Sequence, residues 1–311
     1  MTINQTAAVN ARPGSPTADA AGTWQLGTRT VNRVGLGAMR LSGMPWDDQP
    51  KSRDAAITVL RRAIELGVNH IDTAAFYFTA TRSANELISH ALQPYPDDLV
   101  ITTKVGPSRS REGDFEPMAR PDQLRSQVEE NIRQLGLDHL DVVNLRWGDG
   151  MDKDPSSVAE HFGALAELRE AGLIRELGLS NVTAGQLTEA LDIAPVVCVQ
   201  NLYGLTDRQD DDLMALCGER GVAFVPFFAV ATASGATPGA PDETGQAEIA
   251  AVAQAHGATP AQVRLAWTLH QGDHVLAIPG TGDPAHLEQN IAAGALRLSR
   301  EELDLLDGIR R

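Results

Sequence analysis

The chain of 311 residues contains only two cysteines, Cys198 and Cys217, in no CxxC or other metal-type spacing. That rules out a disulfide framework and reads as reduced thiols in a reducing compartment. The eight histidines form no HxH or HExxH pair, so no metal site is expected. No run approaches the roughly 20 apolar residues needed to cross a bilayer, which makes a cytoplasmic location the expectation. Positive charge is scarce as well: 26 Lys and Arg stand against 41 Asp and Glu, a net charge of −15 with no basic run to offset it locally. Such a surface repels phosphate backbones and acidic lipids, so neither nucleic acid nor membrane is an expected partner. An anionic nucleotide would have to be held by helix N-termini, backbone amides and a few local cations.

What is present suits a large globular core, with 42% apolar and 22% charged residues. Residues 1–22, rich in Ala, Thr, Asn and Pro, read as a disordered tail, and residues 23–311 as one domain. After Trp24, side-chain type alternates around a Gly-Thr turn, as in a β-hairpin that could plug a barrel floor. From there short β-branched runs alternate with segments of helical period, which argues for βα units. The strands expected are Val34–Met39, His70–Thr73, Leu99–Val105, Asp141–Arg146, Glu176–Ser180, Val196–Gln200, Ala223–Phe228 and Val275–Pro279. Helices are expected at Arg53–Leu66, Pro121–Leu135, Val158–Ala171, Ala184–Leu191 and Asp210–Arg220, several followed by a capping glycine: Gly67, Gly136, Gly172 and Gly221. Eight such units favour an α/β fold of the (β/α)8 barrel type with an N-terminal hairpin. A doubly wound sheet would carry a GxGxxG turn after its first strand, and Gly35–Ala38 supplies no third glycine.

Connections after helices are short and those after strands long, which places an active site at the C-terminal strand ends. The longest, residues 231–246, has the Gly/Pro/Thr composition of a mobile flap. Asp72, Tyr77, Lys104 and Arg146 all fall at that end. Singly they read as a helix cap, a rim aromatic and two solvated charges. Together, an acid, a phenol and two cations can perturb one another's ionisation, and a lysine beside Tyr77 would lower the phenol's pKa. Ser180, Asn181 and Gln200 offer groups suited to a carboxamide, and Phe227 a flat face for a ring.

The segments LGTRTVNRVGLGAMRL, GVNHIDTAAFY, LVITTKVG, LDVVNLRW, IRELGLSNVT, VQNLY, GVAFVPFF and IPGTGDPAHLEQN, in this order, resemble the aldo-keto reductase superfamily from Trp24 to the C-terminus. HIDTAAFY, VVNLR, VPFF and IPGT look most like its bacterial pyridoxal reductase type. The resemblance implies an NADPH-dependent reduction of a small aldehyde or ketone, either a pyridoxal-like ring aldehyde or a specialised biosynthetic carbonyl or imine, with NADH as the alternative cofactor. It implies that Asp72, Tyr77, Lys104 and Arg146 are catalytic, Tyr77 protonating the carbonyl oxygen. By the same resemblance Gly37, Ala38, Met39 and Asp72 would bind the cofactor, Ser180, Asn181 and Gln200 would contact its nicotinamide carboxamide, and Phe227 would stack on that ring. Gly280, Thr281, Gly282, His286, Gln289 and Asn290 would hold its adenosine phosphate end, and Trp46, Phe76, Phe78 and Trp147 would wall the substrate pocket.

Four departures stand out. Arg146 replaces the histidine of most members, though the pyridoxal reductase type also reads VVNLR. Gly280 and His286 replace the lysine and arginine many members use on the 2′-phosphate of NADPH. Phe228 and Ala229 replace a common Ser-Pro, and Phe78 follows Tyr77 where glycine is usual. Two other readings remain open on sequence. One is a cofactor-binding regulatory subunit resembling potassium-channel β subunits; the other is a Schiff-base aldolase using Lys104, against which Asp72 would hold the lysine protonated.

Overall fold

The computed structural model describes residues 15–43, 52–110, 114–148, 150–230 and 245–309. A 3-10 turn at Ala18–Ala21 precedes a hairpin of β1 (Thr23–Leu26) and β2 (Arg29–Asn32). Then follow β3 (Leu36–Gly37), α1 (Met39–Ser42), α2 (Arg53–Glu65), β4 (His70–Asp72), a small hairpin of β5 (Phe78–Thr79) and β6 (Arg82–Ser83), and α3 (Ala84–Leu92). Next come β7 (Val100–Val105), a second small hairpin of β8 (Ser108–Arg109) and β9 (Phe115–Glu116), α4 (Pro121–Leu135), β10 (Leu140–Arg146) and α5 (Ala159–Glu170). The rest of the chain forms β11 (Ile174–Ser180), α6 (Ala184–Leu191), β12 (Val196–Gln200), α7 (Asp211–Glu219), β13 (Ala223–Phe224), α8 (Gln246–His256), α9 (Pro260–His270), α10 (Pro284–Ala292) and α11 (Arg300–Asp307).

Seven strands form one parallel sheet in the order β13-β12-β11-β10-β7-β4-β3. The eighth expected strand, Val275–Pro279, is not a ladder strand. It closes the barrel through single bridges, Val275 to Phe224 on one side and Ala277 to Val34 on the other, with Gly280 bridged to Gly37. The first and seventh expected strands are correspondingly short, because ladder pairing stops at Gly37 and at Phe224. Arg33 holds this seam from below: its buried guanidinium donates to the carbonyls of Ala21, Leu269, Gly272 and Val275. Five fixed donors on one planar group can satisfy carbonyls that an irregular strand leaves over. At the other end of the seam the backbones come close enough to exclude side chains. A Cβ on Gly37 would sit 2.6 Å from the Ile278 carbonyl oxygen, and one on Gly280 would sit 2.9 Å from that of Gly37.

The helices follow the sequence closely, α4 and α6 residue for residue. In α2 the apolar face of Ala56, Val59, Leu60 and Ala63 recurs at helical spacing and is buried, while Ser52 caps the first turn by accepting from Ala55 N–H. All four expected capping glycines stand at positive φ. The expected tail boundary at residue 22 falls inside packed structure. Ala18 is buried and its N–H donates to Leu66 O at 2.9 Å, so the ordered part of the chain includes the turn before β1; residues 1–14 lie outside the described residues.

The core has two parts. The larger lies between sheet and helices. The smaller, with Val100, Val142, Cys198, Ala223, Val225 and Leu276, also takes in Leu26 and Val31 of the hairpin, which therefore acts as the expected plug. The hairpin is tied down where Thr28 N–H donates to Glu176 of β11 at 3.1 Å. Side chains alternate along a strand, so Val100, Thr102 and Lys104 share a face, as do Val142, Asn144 and Arg146. Each series is apolar at its start and charged at its end, which carries charge to the C-terminal mouth.

His70, two residues before Asp72, is buried, and burial lowers its pKa to about 4 despite a partly offsetting backbone contact with Asn32. A folded-state value below the ordinary 6.5 means the unfolded chain takes up the proton first. The stabilisation is therefore complete above pH 6.5 and is lost as pH falls toward 4, by roughly 3 kcal/mol in total. Urea unfolding at pH 7 and pH 4.5 should show this loss, and His70→Gln should shrink it by more than half; an unchanged pH difference in the variant would assign the effect elsewhere.

Candidate active site

Asp72 ends β4 and Lys104 lies near the end of β7, neighbouring parallel strands that bring the two side chains together. Lys104 Nζ is 2.6 Å from Asp72 Oδ1 and also donates to Thr73 O at 3.1 Å. From across the barrel, Gln200 on β12 donates through Nε2 to Asp72 Oδ2 at 2.8 Å. Each carboxylate oxygen thus has a donor, which an ionised carboxylate at 4% exposure requires.

Tyr77 stands on the turn after β4, where its N–H donates to Ala74 O and its carbonyl accepts from Ala84 N–H. Its ring centroid lies 5.0 Å from Lys104 Nζ, and the Phe76 ring meets it edge-on at 5.1 Å. Burial raises the Tyr77 pKa, and the nearby Asp72 adds to this; Lys104 and Arg146 oppose it without reversing the sign. The expectation of a lowered phenol pKa is therefore corrected: desolvation exceeds the attraction of the cations, and the resting phenol is protonated. For Lys104, burial is the largest single influence and acts downward, but Asp72 and Tyr77 together outweigh it, so its pKa is raised. An ammonium held in this way is a poor Schiff-base nucleophile, which removes the support for an aldolase.

Arg146 ends β10 with its guanidinium 5.7 Å from the Phe227 ring. It donates to the carbonyls of Trp147 and Gly150 and has a longer contact with Met151 Sδ. Burial lowers its pKa to about 10, which leaves it charged at neutral pH.

Ser180 and Gln200 are paired in register on β11 and β12, and both are buried. Ser180 Oγ and Gln200 Oε1 have no hydrogen-bond partner among the described residues. A carboxamide offers what this pair needs, an oxygen for the serine hydroxyl and an NH2 for the glutamine oxygen. Asn181 is already engaged: at φ 61° it turns its Nδ2 onto the carbonyls of Trp147 and Asp152. It pins the loop after β10, as does Gln186, which donates to Asp154 O and Ser156 O. The Phe227 ring meets Phe228 edge-on at 5.4 Å, with Phe228 at φ 60°.

The seam joins this cluster to the proposed phosphate end, since Ala38 N–H donates to Asp72 O and Gly37 bridges Gly280. Gly37 and Ala38 are buried, while Met39 begins α1 half-buried. Thr281 is buried and Gly282 half-buried; His286 and Gln289 are exposed on α10 and Asn290 half-buried. The first turn of α10 is not left wholly open for an anion: Asp283 caps it, its carboxylate accepting from Ala285 N–H at 2.7 Å. Sequence reasoning passed over Asp283. It also passed over Arg40, whose Cγ would lie 3.5 Å from a Cβ on Gly280. The signal for Arg40 was its place next to Met39; only closure of the seam brings it beside Gly280.

The expected aromatic walls divide. Phe76 and Phe78 line a cavity of about 650 Å3 that reaches Lys104 and runs past Arg109, Gln127 and Glu130, with the Arg109 guanidinium 5.1 Å from the Phe78 ring. Trp147 is no wall of that cavity; it follows the inward-facing Arg146, so it points outward, and it is buried against His161 at 5.0 Å. Trp46 and residues 231–244 of the expected flap at 231–246 lie outside the described residues, while Gln246 begins α8. A further buried tie was not foreseen: Lys153 pairs with Asp210, whose other oxygen accepts from Asn201 Nδ2.

Lys104→Met would leave Asp72 as a buried charge without its cation. Removing one partner of such a pair costs about 3–5 kcal/mol. Urea denaturation should show a loss of that order, partly restored by the double variant Asp72→Asn/Lys104→Met; a single-variant loss below about 1 kcal/mol would mean that Gln200 alone holds the carboxylate.

Residues 33–311 match the family model described as "Aldo/keto reductase family". The chain is 46% identical over 291 residues to pyridoxine 4-dehydrogenase of Escherichia coli, covering 93% of this chain and 98% of that protein. Among solved structures, a thermostable aldo-keto reductase in complex with the inhibitor epalrestat superposes with a TM-score of 0.77 at 30% identity, over 92% of this chain and 99% of that one. An aldo-keto reductase from Klebsiella pneumoniae in complex with NADPH gives 0.73 at 28% identity, over 92% and 94%. The chain belongs to the aldo/keto reductase family and is an oxidoreductase of the (β/α)8-barrel type.

Proposed function

We propose that this protein reduces a small aldehyde or ketone with NADPH, a pyridoxal-like ring aldehyde being the best-supported substrate, and that Tyr77 donates the proton. The observation that carries the reading is the buried Asp72–Lys104 ion pair under the Tyr77 ring, on the same strand-end face as the unpartnered Ser180 Oγ and Gln200 Oε1. The last two fit a nicotinamide carboxamide, and a relative of this family is solved with NADPH. A bound nicotinamide cofactor supplies the hydride.

The chain's own groups manage the proton and the charge. Tyr77 is protonated at rest, so a proton donor is in place before any carbonyl arrives. As a carbonyl oxygen gains negative charge, the phenol gives up its proton to it, and Lys104 and Arg146 stabilise the phenolate left behind. Asp72 keeps Lys104 charged and oriented. Asn181 and Gln186 hold the loop after β10 in place behind Arg146.

NADPH and NADH oxidation against an aldehyde panel that includes pyridoxal tests the reading; nucleotide binding without turnover would favour a regulatory role. Tyr77→Phe should lower kcat by roughly 100- to 10,000-fold with nucleotide affinity nearly unchanged. Parallel losses in both would make Tyr77 a packing residue.

A further inference from the structure

Arg146 is a charged group at the mouth that no carboxylate matches among the described residues. Asp72 is matched by Lys104, and no carboxylate pairs with Arg146 among the described residues. Its partners among the described residues are two carbonyls of its own loop and a thioether, which accept hydrogen bonds but neutralise nothing. Asp72 with Lys104 and Arg146 leaves one positive charge in excess, in a chain whose net charge is −15.

Arg146 is half-buried, and keeping a guanidinium charged where solvent is partly withdrawn is costly unless an anion joins it in the working complex. Two features place that anion. Arg146 is the next residue on the same strand face after Asn144, which pairs in register with Lys104 on the neighbouring strand, so its side chain enters the mouth on the side of Lys104 and Tyr77. It also lies beside the Phe227 ring, with which it shares the mouth. An oxyanion held by Arg146 therefore belongs to the same small molecule as the carbonyl, close to it. The planar fork suits an oxygen in the plane of a conjugated carbonyl better than a point charge would.

We propose that Arg146 selects carbonyl substrates carrying an ionised oxygen next to the reacting carbonyl: an aromatic aldehyde with an ortho phenolate, or a 2-oxo carboxylate. The proposal rests on the reductase reading and sharpens it, since a pyridoxal-like ring is one member of the first group. In the complex the carbonyl oxygen accepts from Tyr77, while the neighbouring oxyanion accepts from Arg146. Benzaldehyde and 4-hydroxybenzaldehyde lack that neighbour.

The test measures kcat/KM by product formation with NADPH for benzaldehyde, 4-hydroxybenzaldehyde, 2-hydroxybenzaldehyde and phenylglyoxylate. For the wild-type enzyme, 2-hydroxybenzaldehyde or phenylglyoxylate should exceed benzaldehyde by about tenfold or more, the value of a charge-assisted hydrogen bond. Which of the two leads identifies the oxyanion as phenolate or carboxylate. In Arg146→Gln the ratio to benzaldehyde should fall toward one, and Arg146→Lys should retain only part of it. NADPH binding followed by tryptophan quenching confirms that each variant is folded, and the wild-type ratios stand without the variants. Turnover of the series with no preference for the ortho or 2-oxo compounds overturns this proposal alone. Absence of turnover with every member, under NADPH and NADH alike, overturns the reductase reading and this proposal with it.

Discussion

The ion pair between Lys104 and Asp72, closed by the amide of Gln200, links three strands of the barrel inside a space with almost no solvent. An ionised pair at that depth is tolerated only if every oxygen has a donor, and the three side chains meet the requirement together. The consequences reach outward. Gln200 turns its amide nitrogen to Asp72, so its oxygen is left as an acceptor beside Ser180. Lys104 keeps its proton, so it acts on Tyr77 as a fixed charge. The phenol, its pKa raised by burial, keeps its proton at rest.

The barrel closes around this pair at an irregular seam. Where an eighth ladder strand would stand, the chain is held by bridges to Val34, Gly37 and Phe224 and by the Arg33 guanidinium beneath. The close approach at Gly37 and Gly280 leaves no room for a side chain at the strand ends. A side chain at position 280 would have to push the Gly37 carbonyl aside. Arg40 comes against the same place from α1.

Much of this was legible in the residue order. Apolar spacing located α4 and α6 to the residue, because a helix is a local structure whose period and caps lie in one stretch of chain. Period-two alternation carried Lys104 and Arg146 to strand ends on the inner face. Strand ends were less legible at β3 and β13, where pairing depends on a partner far along the chain, and residues 15–22 looked like a tail because Ala18 and Ala21 have no local reason to be buried.

The sequence by itself determined the alternating α/β plan and the end of the barrel at which the acid, the phenol and the two cations gather. Only the tertiary structure decided how they act on one another. Whether burial or a neighbouring cation governs Tyr77 depends on depth and distance, and burial prevails. The direction of Trp147, packed on His161 instead of walling the cavity, and the neighbourhood of Arg40 and Gly280 depend likewise on contacts between distant segments. Spacing along a chain reports what repeats locally; desolvation and long-range contact arise only once the chain has closed.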